Sequence, residues 1–216
     1  MKLFKVRTSL ILLLIVFFLS GCSVVFQKGR RSDLERIQSL EEELSQLKNT
    51  QGVLEQRLSQ EIEDKQVRLS MQEKGLVVTF VAEVLFDSGK AKLKEQSFPI
   101  LDKVSRILGE EVPRNRISIE GHTDDQPIKF SPWDSNWELS AQRSLSVLHY
   151  LSGQGIDPQR LSATGFGEFS PVTENDSDEG RQLNRRVEIV IVPMRNTSRG
   201  DSAGDDTEEM FEEELK

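Results

Sequence analysis

The spacing of apolar residues changes once along this chain, near Gly75, and that change divides what can fold from it. Upstream, Ile37, Leu40, Leu44, Leu47, Leu54 and Leu58 follow steps of three and four, with Gln51 in the gap position. Ile62 and Leu69 continue the series after one extra step. A seam of this period, flanked by Glu, Lys, Arg and Gln and free of proline, specifies a coiled-coil helix with a stutter. We expect that helix over 31–72, weakened locally by Gly52, and with it a homo-oligomer. A single amphipathic helix lying on the following domain is the alternative. Some 40 helical residues would reach about 60 Å, enough for a spacer.

Downstream of Gly75 the pattern becomes that of a mixed fold. Leu76 to Phe86 is rich in Val, Leu and Phe and reads as a strand or hairpin, closed by the turn Asp87-Ser88-Gly89. A helix is predicted over 97–108, with Phe98, Leu101, Val104 and Leu108 on one face and Pro99 tolerated in the first turn. Arg116 to Glu120 alternates around Ile117 and Ile119, and Gly121-His122-Thr123-Asp124-Asp125 is expected to leave that strand as a loop. Ser135 and Glu138 have capping-box spacing ahead of a helix whose buried stripe is predicted as Trp137, Ala141, Leu145 and Leu148. A short strand is expected over 161–167, and a helix over 176–184 with Asp176 and Glu179 at capping spacing. A last strand from Arg186 ends before Pro193. Strands and helices in this order predict an α+β sandwich, with helices on one face of a mixed sheet.

The first residues carry a separate message. Lys2, Lys5 and Arg7 precede the apolar run Leu10–Leu19, which is short of the roughly 20 residues a membrane span requires. A basic stretch before a short apolar one is the pattern of a secretory signal peptide, expected here over 1–21. Leu19-Ser20-Gly21-Cys22 resembles a bacterial lipobox, which implies lipidation of Cys22 and a linker over 22–30. Cys22 is the only cysteine, so no internal disulfide can support the fold. The formal charge of −8 argues against a nucleic-acid partner. Much of it sits at the end: Gly200 to Lys216 holds eight acidic residues and one basic one. The segment 195–216 therefore reads as a disordered acidic tail.

Three strings then stand in order: Leu85-Phe86-Asp87-Ser88-Gly89; Gly121-His122-Thr123-Asp124-Asp125 with Asn136-Trp137-Glu138-Leu139-Ser140-Ala141-Gln142-Arg143; and Asn184-Arg185-Arg186-Val187-Glu188. Together they resemble the OmpA-like peptidoglycan-binding domain, placed over 75–194. Behind a lipobox the arrangement is similar to peptidoglycan-associated lipoproteins. Asp125-Gln126-Pro127-Ile128 and the start of the second helix look closer to flagellar stator subunits. The resemblance implies that Asp124 and Arg143 grip the diamino acid of a peptidoglycan stem peptide. Asp124 would accept from its ammonium, and Arg143 would fork onto its carboxylate. By the same resemblance Phe86, Asp87, Thr123, Asn136 and Arg185 complete the ligand-binding set, with backbone N–H groups of the Phe86-Asp87 turn meeting further carboxylates. On spacing alone, Asp124 also suits a turn cap and Arg143 a surface helix charge.

The resemblance implies a binding protein and not an enzyme, with no cofactor and no metal. His122 beside Asp124 and Asp125 lacks a second histidine close by, since His149 falls on a later helix; it is expected to pack or to hydrogen-bond within its loop. The expected location is the outer membrane, lipid-anchored and facing the periplasm, with the inner membrane as the alternative. Other envelope-complex proteins are expected partners alongside peptidoglycan.

Overall fold

The computed structural model describes residues 33–128 and 132–194. The expected signal segment 1–21, Cys22 with its linker 22–30, and the acidic tail lie outside these residues. The chain divides into two compact units, Met1–Lys48 and Asn49–Lys216. Within the first, residues 33–48 are helical. They present Leu34, Ile37, Leu40 and Leu44 to solvent, at 44–56% exposure.

The second unit opens with helical residues 49–57 (the end of α1, 33–57) and the short α2, Ser59–Glu63. Leu54 and Leu58 are fully buried. Arg57 meets Glu110 at 3.3 Å and Glu61 accepts from Lys103 at 2.6 Å, tying this segment to the helix Phe98–Glu110. The helix expected over 31–72 therefore stops at Glu63. Lys65 comes next in the left-handed region, at φ +58°, and residues Val67–Gln72 form strand β1. The reason is local: Val67, Leu69 and Met71 alternate with Arg68, Ser70 and Gln72, a strand period that overrides the single helical step to Leu69.

The remaining elements are β2 (Gly75–Val81), α3 (Ala82–Leu85), α4 (Phe98–Glu110), β3 (Arg116–His122), α5 (Asn136–Gly153), β4 (Leu161–Gly165), α6 (Asp178–Asn184) and β5 (Arg186–Val192). The sheet runs β1-β2-β5-β3-β4. β3 and β4 are parallel, and every other pair is antiparallel. This is the expected α+β fold with a mixed sheet.

Two glycines decide how α5 sits. A Cβ on Gly121 would stand 2.1 Å from the Ser140 carbonyl oxygen, and one on Gly165 would stand 2.5 Å from the Ala141 amide nitrogen. α5 thus lies directly on the backbones of β3 and β4, and small residues face them. Its buried stripe is Leu139, Ser140, Arg143, Ser144, Val147 and Leu151, not the Trp137–Ala141–Leu145–Leu148 row expected from apolarity. Trp137 is 49% exposed and stacks on Phe169 at 5.0 Å. Close backbone approach selects serines over larger apolar side chains on this face. The third helix starts later than expected, because Ser177, not Asp176, is the N-cap and accepts from the Gly180 amide.

Candidate functional site

The register of the central strands gathers the chemistry at one end of the sheet. His122 on β3 and Val81 on β2 both pair with Arg186 on β5. Thr123 and Asp124 leave β3, Ala82 and Glu83 leave β2, and Arg185 enters β5, all at that edge. The Ala82 amide donates to the Arg185 carbonyl at 2.9 Å, which fixes the spacing. α5, seated on Gly121 and Gly165, brings Asn136 and Arg143 to the same edge.

A cleft of about 250 Å³ results. Phe86, Asp87, Thr123, Asp124, Asn136, Arg143 and Arg185, the seven positions singled out from the sequence, all line it. Asp124 is buried and paired: its Oδ2 accepts from Arg185 Nη1 at 2.7 Å, and its Oδ1 accepts from the Gln126 amide at 3.3 Å. Arg143 is 4% exposed. Its Nε donates to the Lys90 carbonyl at 3.0 Å, and its guanidinium lies over the Phe86 ring, 5.3 Å from the centroid. Burial pushes its pKa down to about 10, with the Glu83 carboxylate working against the shift. It remains charged at neutral pH, because a guanidinium stacked on an aromatic face tolerates burial. The Nη groups donate to no described residue, so they are available to a ligand carboxylate.

Two expected roles change. The Phe86 amide is spent on the Ala82 carbonyl at 2.8 Å, so this residue gives the site its ring, not its N–H. The Asn136 amide nitrogen donates to Glu168 at 2.6 Å and to the carbonyls of Gln126 and Asp124 at 3.2 and 3.4 Å. It therefore fastens the Asp124 loop. Thr123 differs again: its amide is bound to the Gly167 carbonyl, yet its buried Oγ1 has no partner. A buried hydroxyl left without a partner costs free energy. Asp87 is exposed and bridges to Lys90 at 3.0 Å, whose hydrogen bond holds its carboxyl below the usual range.

Sequence reading overlooked Glu83. Its Oε1 accepts from Arg185 Nε at 2.7 Å and lies 2.6 Å from Nη2 in the same ion pair, so Arg185 spans two carboxylates. Burial disfavours its charge, but the hydrogen bonds to Asp124 and Glu83 outweigh that and hold the guanidinium above its ordinary value. The signal was present: Glu83 is the only charged residue in the apolar run 76–86. His122, expected in the loop, ends β3 and stacks on Phe166 at 5.0 Å.

The pattern of the OmpA family matches residues 85–185. Motility protein B of Bacillus subtilis is 38% identical over 149 residues, covering 68% of this chain and 57% of that protein. The uncharacterized protein YtxE of the same organism is 30% identical over 215 residues, covering 88% of each chain. The "Probable lipoprotein YiaD" of Escherichia coli is 32% identical over 142 residues, covering 66% of this chain and 63% of that protein. The chain thus spans less than two thirds of Motility protein B and of YiaD. Among solved structures, a MotB-like protein from Desulfovibrio vulgaris superposes with a TM-score of 0.65 at 33% identity, covering 72% of this chain and 99% of that one. The cell wall anchor of the type VI secretion system from Pseudomonas aeruginosa gives 0.60 at 31% identity, covering 65% and 97%.

Proposed function

From the premise that this chain belongs to the OmpA family, we propose that it is an envelope lipoprotein whose folded domain binds the peptidoglycan stem peptide non-covalently and tethers the outer membrane to the wall. The observation that carries the reading is the pairing inside the cleft: a guanidinium with unspent Nη donors, Arg143, lies beside the carboxylate-rich pair Asp124 and Glu83. A diamino acid side chain that ends in an amine and a carboxylate on one carbon presents both complementary charges at once. The carboxylate would be forked by Arg143. The ammonium would join Asp124 through Oδ1, with Arg185 retained on Oδ2. Thr123 lines the same cleft. The site grips its ligand and carries out no reaction on it.

The anchor completes the device. Two or more acyl chains on Cys22 would hold a membrane stably where one would not. The exposed row Leu34, Ile37, Leu40 and Leu44 suits self-association of the helix, and several weak clasps on one membrane act together through effective concentration. Purified full-length chain in detergent should pellet with isolated wall sacculi. Asp124→Ala and Arg143→Ala should each lower the bound fraction by at least tenfold, and equal pelleting of all three rejects the site.

A second reading is supported by the 38% identity to Motility protein B. In it the same wall-binding domain anchors a motor or secretion complex of the inner membrane. Labelling cells with radioactive palmitate separates the two: incorporation lost on Cys22→Ala supports the lipoprotein, and no incorporation supports the second reading.

A further inference from the structure

The sheet has a second cluster of chemistry, on the side away from the α5 contact. Gly121 faces α5, so its neighbours Glu120 and His122 point to the other side. Glu188 is directly opposite Glu120 in the β3–β5 register and joins them there. One nitrogen of His122 and one carboxylate oxygen from each glutamate all lie within 4.8 Å of one another. None of the three lines the Asp124 cleft.

We propose that Glu120, His122 and Glu188 form a site for a divalent transition-metal ion, with the Lys74 ammonium as its exchangeable occupant. The first support is His122 itself. It is 2% exposed, and both ring nitrogens are without a hydrogen-bond partner. Nearly all buried polar groups in folded proteins are satisfied, and an exception calls for an ion, a water or a functional role. The stack on Phe166, with rings only 4° from parallel, fixes the plane in which the imidazole offers its lone pair.

The second support is that a cation already occupies the position. Lys74 Nζ stands 2.7 Å from Glu120 Oε2 and 2.6 Å from Glu188 Oε2. Lys74 comes from the β1–β2 turn and its side chain is 37% exposed, so it can swing out without opening the core. Arg186 Nε holds the other oxygen of Glu188, Oε1, at 2.6 Å. That is the outer-shell support that orients a ligating carboxylate. The Lys74 ammonium serves the two carboxylates and leaves both His122 nitrogens without a partner; a metal ion can take all three.

The donor set selects the ion. One imidazole and two carboxylates suit Zn²⁺, Co²⁺ or Ni²⁺ more than the all-oxygen ions Mg²⁺ and Ca²⁺. Three protein ligands leave a fourth position for water. Ligand atoms at bond lengths of about 2.0–2.1 Å around a tetrahedral centre lie about 3.4 Å apart, so the cluster has only to contract. The site would bridge β3 and β5, the strands that deliver Asp124 and Arg185 to the cleft.

The test uses untagged full-length chain, stripped with a chelator and dialysed against ZnCl₂, with bound metal counted and thermal unfolding followed. One Zn²⁺ per chain and a raised Tm are expected for wild type. Lys74→Met should bind at least tenfold more tightly. His122→Gln should lose the metal, and so should Glu120→Gln, a partly accessible position that keeps the test valid should the buried variant misfold. His149→Gln should bind as wild type does. No stoichiometric Zn²⁺ in wild type, retention in both site variants, or no gain in Lys74→Met would overturn the proposal.

Discussion

His122 gives the structure a measurable acid sensitivity. Burial, reinforced by the Arg186 charge, pushes its pKa down to about 3 from the ordinary value of 6.5. The folded protein therefore keeps this imidazole neutral where the unfolded chain protonates it. Between pH 6.5 and about 3 the unfolded state binds the extra proton, so stability falls as pH is lowered, by about 1.4 kcal/mol per unit. Between pH 7 and pH 5 this group alone removes about 2 kcal/mol. That window stays above the ordinary value of 4.5 from which the Glu188 pKa is lowered; there, burial of Glu188 is outweighed by its hydrogen bonds from Lys74 and Arg186, so its contribution is lost only at lower pH. Urea unfolding followed by circular dichroism, in chelator at pH 7 and pH 5, measures the effect. Wild type should lose about 2 kcal/mol more than His122→Leu over this interval, whatever the variant's absolute stability. Equal losses would show that the folded state protonates His122 freely, and the reasoning from its burial would fail.

Other positions carry separate expectations. Gly121→Ala drives a methyl onto the Ser140 carbonyl at 2.1 Å and should cost about 3 kcal/mol or more by chemical denaturation, since backbone on both sides must move. Ser135→Ala removes the hydroxyl that accepts from the Glu138 amide at 3.3 Å and should cost about 1 kcal/mol, with the cleft unchanged by NMR. Glu83→Gln releases Arg185 from one of its two carboxylates and leaves it to neutralise Asp124 more fully. Sacculus binding should fall about two- to fivefold by cosedimentation, while stability changes by less than about 0.5 kcal/mol, as expected for a partly exposed ion pair.

Much of this site was legible because its residues fall in short strings at element boundaries. Alternation and a capping box located a strand end before Thr123-Asp124, a helix start carrying Asn136 and Arg143, and a strand start after Arg185, while the choice of these residues as a site came from the family resemblance and not from spacing. The sheet register then brought them together. What periodicity could not reveal was the inner face of α5. It is chosen by contact with Gly121 and Gly165 and not by apolarity, so Ser140 and Ser144 are buried while Trp137 is exposed. The strand Val67–Gln72 was hidden because Leu69 also satisfies a helical step. The Lys74–Glu120–Glu188–Arg186 cluster escaped notice for a related reason. Alternating charged residues on a strand ordinarily mark a solvated face, and only the structure shows Glu188 and Arg186 buried and paired on that side.

The proposed hold on peptidoglycan depends on a cleft that reads both charges of one side chain. Isothermal titration of the full-length chain with two soluble stem peptides, one ending its third side chain in diaminopimelate and the other in lysine, addresses this directly. The lysine peptide keeps the ammonium and lacks the carboxylate. Wild type should bind the diaminopimelate peptide at least tenfold more tightly, and Arg143→Ala should erase the difference. Equal affinity of wild type for the two peptides would contradict the assignment of Arg143 and, with it, the proposed grip on the wall.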